Sequence, residues 1–159
     1  MKNLLAVVLF LCMNVVSFAQ QPTFKFVTKW SIPSGNEKWD YLKLEDHKLY
    51  VSHADRVHIL DAKTGLVLSE ISNLKGVHGI IPALPFGKGY ISNGLSNEIT
   101  IFDLKTLKVL KTITIPGKKA DAVYFDPFSN RIFVFNNGSG NAIAIDPKTD
   151  EVAGQVDMG

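Results

Sequence analysis

One short pattern recurs three times along this chain. Leu60-Asp61-Ala62-Lys63-Thr64, Phe102-Asp103-Leu104-Lys105-Thr106 and Ile145-Asp146-Pro147-Lys148-Thr149 each read apolar-Asp-x-Lys-Thr, and each leads into an apolar segment. The three Asp residues stand 42 and 43 residues apart. A unit of that length cannot bury a hydrophobic face alone. It has to stack on its neighbours, so the period constrains the fold more than any composition does.

The rest of each unit repeats as well. Tyr50-Val51-Ser52-His53, Tyr90-Ile91-Ser92-Asn93 and Phe133-Val134-Phe135-Asn136 sit at matching places. Ahead of them stand Trp39-Asp40-Tyr41, Val77-His78-Gly79 and Ala120-Asp121-Ala122. Apolar residues alternate over short runs separated by Asp, Asn, Pro and Gly, the pattern of strands joined by tight turns. In the third unit the strands are expected at about 121–126, 131–136, 141–145 and 151–156. Repeats in the low forties with four strands each describe the blades of a β-propeller. The expected fold is all-β, made of four-stranded antiparallel blades over roughly 39–72, 77–115 and 120–157.

Residues 24–32 resemble an isolated fourth strand. Lys25-Phe26-Val27-Thr28-Lys29-Trp30-Ser31-Ile32-Pro33 parallels Lys108-Val109-Leu110-Lys111-Thr112-Ile113-Thr114-Ile115-Pro116. A strand of this kind closes the last blade of a propeller ring and removes its open edge. Closed propellers have about four to eight blades. Three blades and one strand are therefore expected to be the front portion of a longer ring. A chain ending at Gly159 is expected to self-associate.

The first 19 residues read as a secretory signal: Lys2, an apolar run from Leu4 to Val16, then Ser17-Phe18-Ala19 before the cut. The run is shorter than the ~20 apolar residues a membrane span needs. No span is expected after cleavage, and the mature chain is expected in the periplasm or outside the cell. Cys12, the only cysteine, leaves with the signal, so stability must come from packing and not from disulfides. Without Lys2 the chain carries 16 basic and 15 acidic residues. That near balance offers no footprint for a polyanion, so no nucleic-acid partner is expected.

The Tyr-Val-Ser-His series and the Asp turn resemble the YVTN-repeat, YncE-like β-propellers, a family with secreted bacterial members. Tyr50 to Gly65 matches the eponymous motif with Ser52 for Thr and His53 for Asn. The resemblance implies a seven-bladed parent, export, and a binding or scaffolding role, and supplies no catalytic residues.

Strand direction narrows the search for a site. The segment leading into the first strand and the loop between strands two and three share one face of an antiparallel blade. Asp40, His78 and Asp121 occupy equivalent places at the start of the innermost strands, so they should converge on the channel mouth. His53, Asn93 and Asn136 begin the loops on the same face. These six residues are the candidate ligand-binding set. Asp40, His78 and Asp121 are also of metal-ligating types, with further ligands required from blades outside the chain. The leading expectation remains a binding module for a small ligand or protein partner, with no metal, no cofactor and no catalytic residue. The alternative is a lactone-hydrolase-like or redox-subunit-like enzyme working through the Asp/His ring.

Among the other residues, the repeated Asp is read as a structural turn former. His58, between Val57 and Ile59 but facing away from both, is expected to be half-exposed. His47 is expected in a solvated hairpin. Trp39 and Tyr41 are expected to pack between blades.

Overall fold

Strands dominate because β-branched and aromatic residues alternate with small polar ones over six-residue runs. The structure, a computed structural model, describes residues 25, 27–33 and 35–159. The expected signal peptide lies outside the described residues. Residues 25 and 27–33 are in no strand.

Twelve strands follow. The first sheet holds β1 (Trp39–Glu45), β2 (Lys48–His53), β3 (Arg56–Asp61) and β4 (Val67–Ile71). The second holds β5 (Val77–Ala83), β6 (Lys88–Asn93), β7 (Glu98–Asp103) and β8 (Val109–Thr114). The third holds β9 (Ala120–Asp126), β10 (Arg131–Asn136), β11 (Asn141–Asp146) and β12 (Glu151–Asp157). Each sheet is a four-stranded antiparallel meander in chain order. The only helical turn among the described residues is a 3₁₀ segment, Leu84–Phe86, between β5 and β6. The third-unit strands fall within a residue or so of their expected bounds.

The repeated Asp is a turn former in all three blades. Asp61 Oδ1 accepts the Lys63 and Thr64 backbone N–H groups at 3.0 and 2.7 Å. Asp103 Oδ1 accepts those of Lys105 and Thr106 at 3.0 and 2.6 Å. Asp146 Oδ1 accepts that of Lys148 at 2.9 Å. The bonds favour the carboxylate, so Asp61 and Asp103 sit below the usual carboxylate range, Asp61 chiefly through Thr64 and Asp103 chiefly through Thr106. The turn then needs a left-handed residue, supplied by Gly65, Leu107 and Asp150 with φ of 75°, 59° and 59°.

Two cores lie between the blades. Tyr50, Val57, Ile59 and Ile71 of the first blade pack on Val77, Ile80, Ile91 and Phe102 of the second. Ile81, Tyr90, Ile99 and Ile101 of the second pack on Ile132, Val134, Ile143 and Ile145 of the third. The innermost strands β1, β5 and β9 are neighbours in sequence of blades, which sets them around a common centre.

The second and third blades are also tied by a polar network that sequence reading does not anticipate. Asp150, only 7 % exposed, accepts Lys88 Nζ and the Tyr90 hydroxyl at 2.9 Å each across the blade boundary. Lys111 Nζ lies 3.2 Å from it on the other side.

Candidate functional site

Every inner strand is broken at the same place. Trp39 pairs with His53 and Leu42 with Val51, leaving Asp40 and Tyr41 opposite the single residue Ser52. In β5, His78 and Gly79 stand opposite Ser92, and in β9, Asp121 and Ala122 stand opposite Phe135. Two residues facing one is a β-bulge, which bends the strand and re-aims a side chain. Ser52 Oγ accepts the Tyr41 N–H at 2.6 Å and Ser92 Oγ the Gly79 N–H at 2.8 Å, so the repeated Ser satisfies a donor that the bulge frees. Ser92 Oγ also donates to the Asp121 carbonyl in the next blade.

The bulges bring Asp40, His78 and Asp121 together. His78 Nδ1 lies 2.5 Å from Asp40 Oδ2 and 4.0 Å from Asp121 Oδ1. With Asp40 accepting the Nδ1 hydrogen, Nε2 presents its lone pair. Gly94 provides the seat: a Cβ there would meet His78 Cδ2 at 2.9 Å and Nε2 at 3.0 Å. Tyr41 joins the group. Burial, then the charges of Asp121 and Asp40, push its phenol above the ordinary value. Asn137 Nδ2 donates to Asp121 Oδ2 at 3.4 Å.

Asp40 and His78 line a cleft of about 890 Å³ between the first two blades. Its walls combine Trp39, Leu74, Val77 and Leu95 with Glu37, Lys38, Asp55 and Lys75. The loops meet there as expected: Ala54 N–H donates to the Lys38 carbonyl and Gly94 N–H to the Gly76 carbonyl.

The other three candidates lie beneath that surface. Asn93 is buried and donates to Thr100 Oγ1 at 2.9 Å. Asn136 is buried and donates to Asn141 Oδ1 at 3.2 Å. His53 is buried under Trp39, whose ring stacks on it at 3.9 Å and 7°. A strand-end residue in this pleat turns inward against its partner strand, so these side chains knit the β2–β3, β6–β7 and β10–β11 loops. His58 corrects the sequence reading. It does face away from Val57 and Ile59, yet it is only 5 % exposed, because His53, Trp39 and Glu70 enclose it. Tyr41, Gly94 and Asn137 were missed. The bulge that recruits Tyr41 leaves no local pattern, since the bond it makes to Ser52 spans eleven residues and its equivalent from Gly79 to Ser92 spans thirteen.

Among the described residues, no group of three or more His, Cys, Asp or Glu is arranged to hold a metal ion. Nor is any helix long and apolar enough to cross a membrane.

No protein-family model matches the chain, and no curated protein matches it by sequence. Solved structures do match. A Kuenenia stuttgartiensis hydrazine synthase superposes with TM-score 0.63 at 18 % identity, over 69 % of this chain and 32 % of that one. Saccharomyces cerevisiae Sqt1 gives 0.67 at 12 % identity, over 76 % and 35 %. The Neurospora crassa Pan2 WD40 domain gives 0.60 at 13 %, over 73 % and 35 %. The chain thus spans about a third of the structures it matches. At these identities the likeness concerns fold alone, and with three consecutive four-stranded meanders it identifies the described residues as three blades of a β-propeller fold.

Proposed function

We propose that this chain is a binding module of an exported β-propeller, taking a small polar ligand in the cleft between its first two blades. One observation carries the reading. Two equivalent bulges, in separate blades, aim Asp40 and His78 into one concavity, and a third brings Asp121 alongside. Its volume of about 890 Å³ lies within the range of small-molecule sites, ~300–1,000 Å³. Apolar walls with a few convergent polar groups are the usual make-up of such sites. Export rests on residues 1–19 of the sequence.

The test is a thermal-shift screen against small-metabolite classes, repeated on Asp40→Asn and His78→Ala. Ligands that raise the melting temperature of the parent chain but not of either variant support the cleft. Stabilisation that survives both substitutions places binding elsewhere.

The Asp40–His78 contact favours a second reading, an enzyme. A carboxylate on Nδ1 orients the imidazole and leaves Nε2 as a general base for activating water. Turnover of an ester or lactone probe, abolished by His78→Ala, would establish it. Binding without turnover in the parent chain returns the first reading.

A further inference from the structure

Beneath Trp39 four titratable groups form a single file. Glu37 Oε2 lies 3.4 Å from His53 Nε2, and His53 Nδ1 lies 3.3 Å from His58 Nε2. His58 Nδ1 lies 3.3 Å from Glu70 Oε2. Both rings are buried, and both carboxylates are partly open to solvent. The remaining charges nearby are Arg56 on β3 and Asp55 in the preceding turn, which pair with each other at 2.8 Å.

The positions of His53, His58 and Glu70 hold no charge in the next blade. There the file reads Asn93–Thr100–Thr112, joined at 2.9 and 3.2 Å. His53, His58 and Glu70 occupy the matching rungs of the ladder. The fold therefore accepts an uncharged file at this place, and packing does not require histidine.

Counting protons shows what the charged file does. It has three gaps, each wanting one hydrogen. Two neutral imidazoles carry one N–H apiece, so two hydrogens must serve three gaps. Wherever they go, one gap sets lone pair against lone pair. Only the central contact between the two rings is a hydrogen bond, and His53 Nε2, facing Glu37, is buried without one. A third proton fills every gap and leaves one positive charge between two carboxylates. A fourth would set two N–H groups against each other in the central gap. The file is complete at three protons.

We infer that His53 and His58 together bind one proton, and that this proton sets the order of the cleft wall formed by Glu37 and Trp39. This rests on the cleft being the functional site, since Glu37 and Trp39 both line it. Protonation gives Glu37 a charged hydrogen-bond donor and gives the stacked Trp39 ring a cation beneath it. Losing the proton releases both. Burial pushes His58 below the ordinary histidine value, against the opposing pull of Glu70.

The experiment needs no ligand, so it stands or falls apart from the binding screen. Ring ¹⁵N signals of His53 and His58 are followed by NMR over about pH 5 to 8. Trp39 emission is followed in a Trp30→Phe background, where it is the sole tryptophan. The expected result is one shared step in both rings, matched by a change in Trp39 emission. The combination His53→Asn, His58→Thr and Glu70→Thr, which writes the second blade's file into the first, should fold and lose the emission step. The inference is overturned by two independent ring titrations, by a flat Trp39 emission, or by a step that survives the triple substitution. It is also overturned if stoichiometric Zn²⁺ shifts both ring signals, for the central gap then holds a metal and not a proton.

Discussion

Single residues decide where the cleft's polar groups point. Ser92 is fully buried, and its hydroxyl serves the Gly79 N–H and the Asp121 carbonyl at once. Ser92→Ala keeps the volume nearly intact but leaves a buried N–H without an acceptor. We expect a loss of about 2 kcal/mol in urea unfolding, the usual cost of an orphaned buried donor. The loss of the Asp121 tether should also weaken any ligand found in the cleft. Gly94 is the second such residue. Its Cα lies so close under His78 that alanine must push the ring or the Ala120 carbonyl, which a Cβ would meet at 3.0 Å. Gly94→Ala should therefore disturb the His78 Nδ1 proton resonance while costing only about 1–2 kcal/mol in stability, as mild overpacking does.

At the scale of elements, neighbouring blades are joined by apolar faces and, between the second and third, by Asp150. Burial of its carboxyl works to raise its pKa, but hydrogen bonds from Lys88, Tyr90 and Lys111 outweigh that and hold it below the usual carboxylate range. Burial, reinforced by the same carboxylate, pushes the Tyr90 phenol far above its ordinary value. A carboxyl with a lowered folded pKa contributes stability above its unfolded value near ~3.9, and that contribution disappears as pH falls toward the folded one. Asp150→Asn should cost about 2 kcal/mol at pH 6, somewhat below the range for a fully buried pair because both lysines reach solvent. The difference between parent and variant should shrink steadily below about pH 4, which urea titrations at several pH values would show. Asp61 and Asp103 act within their own turns, so their removal should fray one hairpin without loosening a blade contact.

At the scale of the whole molecule, the described chain has two blade interfaces and two blade faces of the same kind left open. Ile80 on β5 is 3 % exposed against the first blade, while Leu42, its counterpart on β1, is 68 % exposed. Ile81 is 8 % exposed against the third blade, while Tyr124, its counterpart on β9, is 55 % exposed. Apolar faces of this sort seek a cover. Residues 20–159 prepared on their own are expected to self-associate through them. Light scattering after gel filtration should give a mass above that of one chain, and Leu42→Glu with Tyr124→Lys should lower it. A monodisperse single chain in the parent would refute the idea.

How much of this was legible beforehand follows from which interactions are local. The period between Asp61, Asp103 and Asp146, and the turn residues around them, announce the blades because an Asx turn forms within three residues of its Asp. Alternation placed Val57, Ile59, Ile99 and Ile101 in the cores because side-chain facing in a strand has period two. Equivalence between units then put Asp40, His78 and Asp121 at one rim. The tertiary structure alone decided the rest. Whether a rim residue opens into the cleft, as His78 does, or turns beneath it, as His53, Asn93 and Asn136 do, depends on a bulge and on what the partner strand offers. The file from Glu37 to Glu70 joins four separate places in the chain, and the Asp150 network reaches 62 residues back to Lys88. Contacts at such separations have no local signature, because the forces that choose them act only once the blades have stacked.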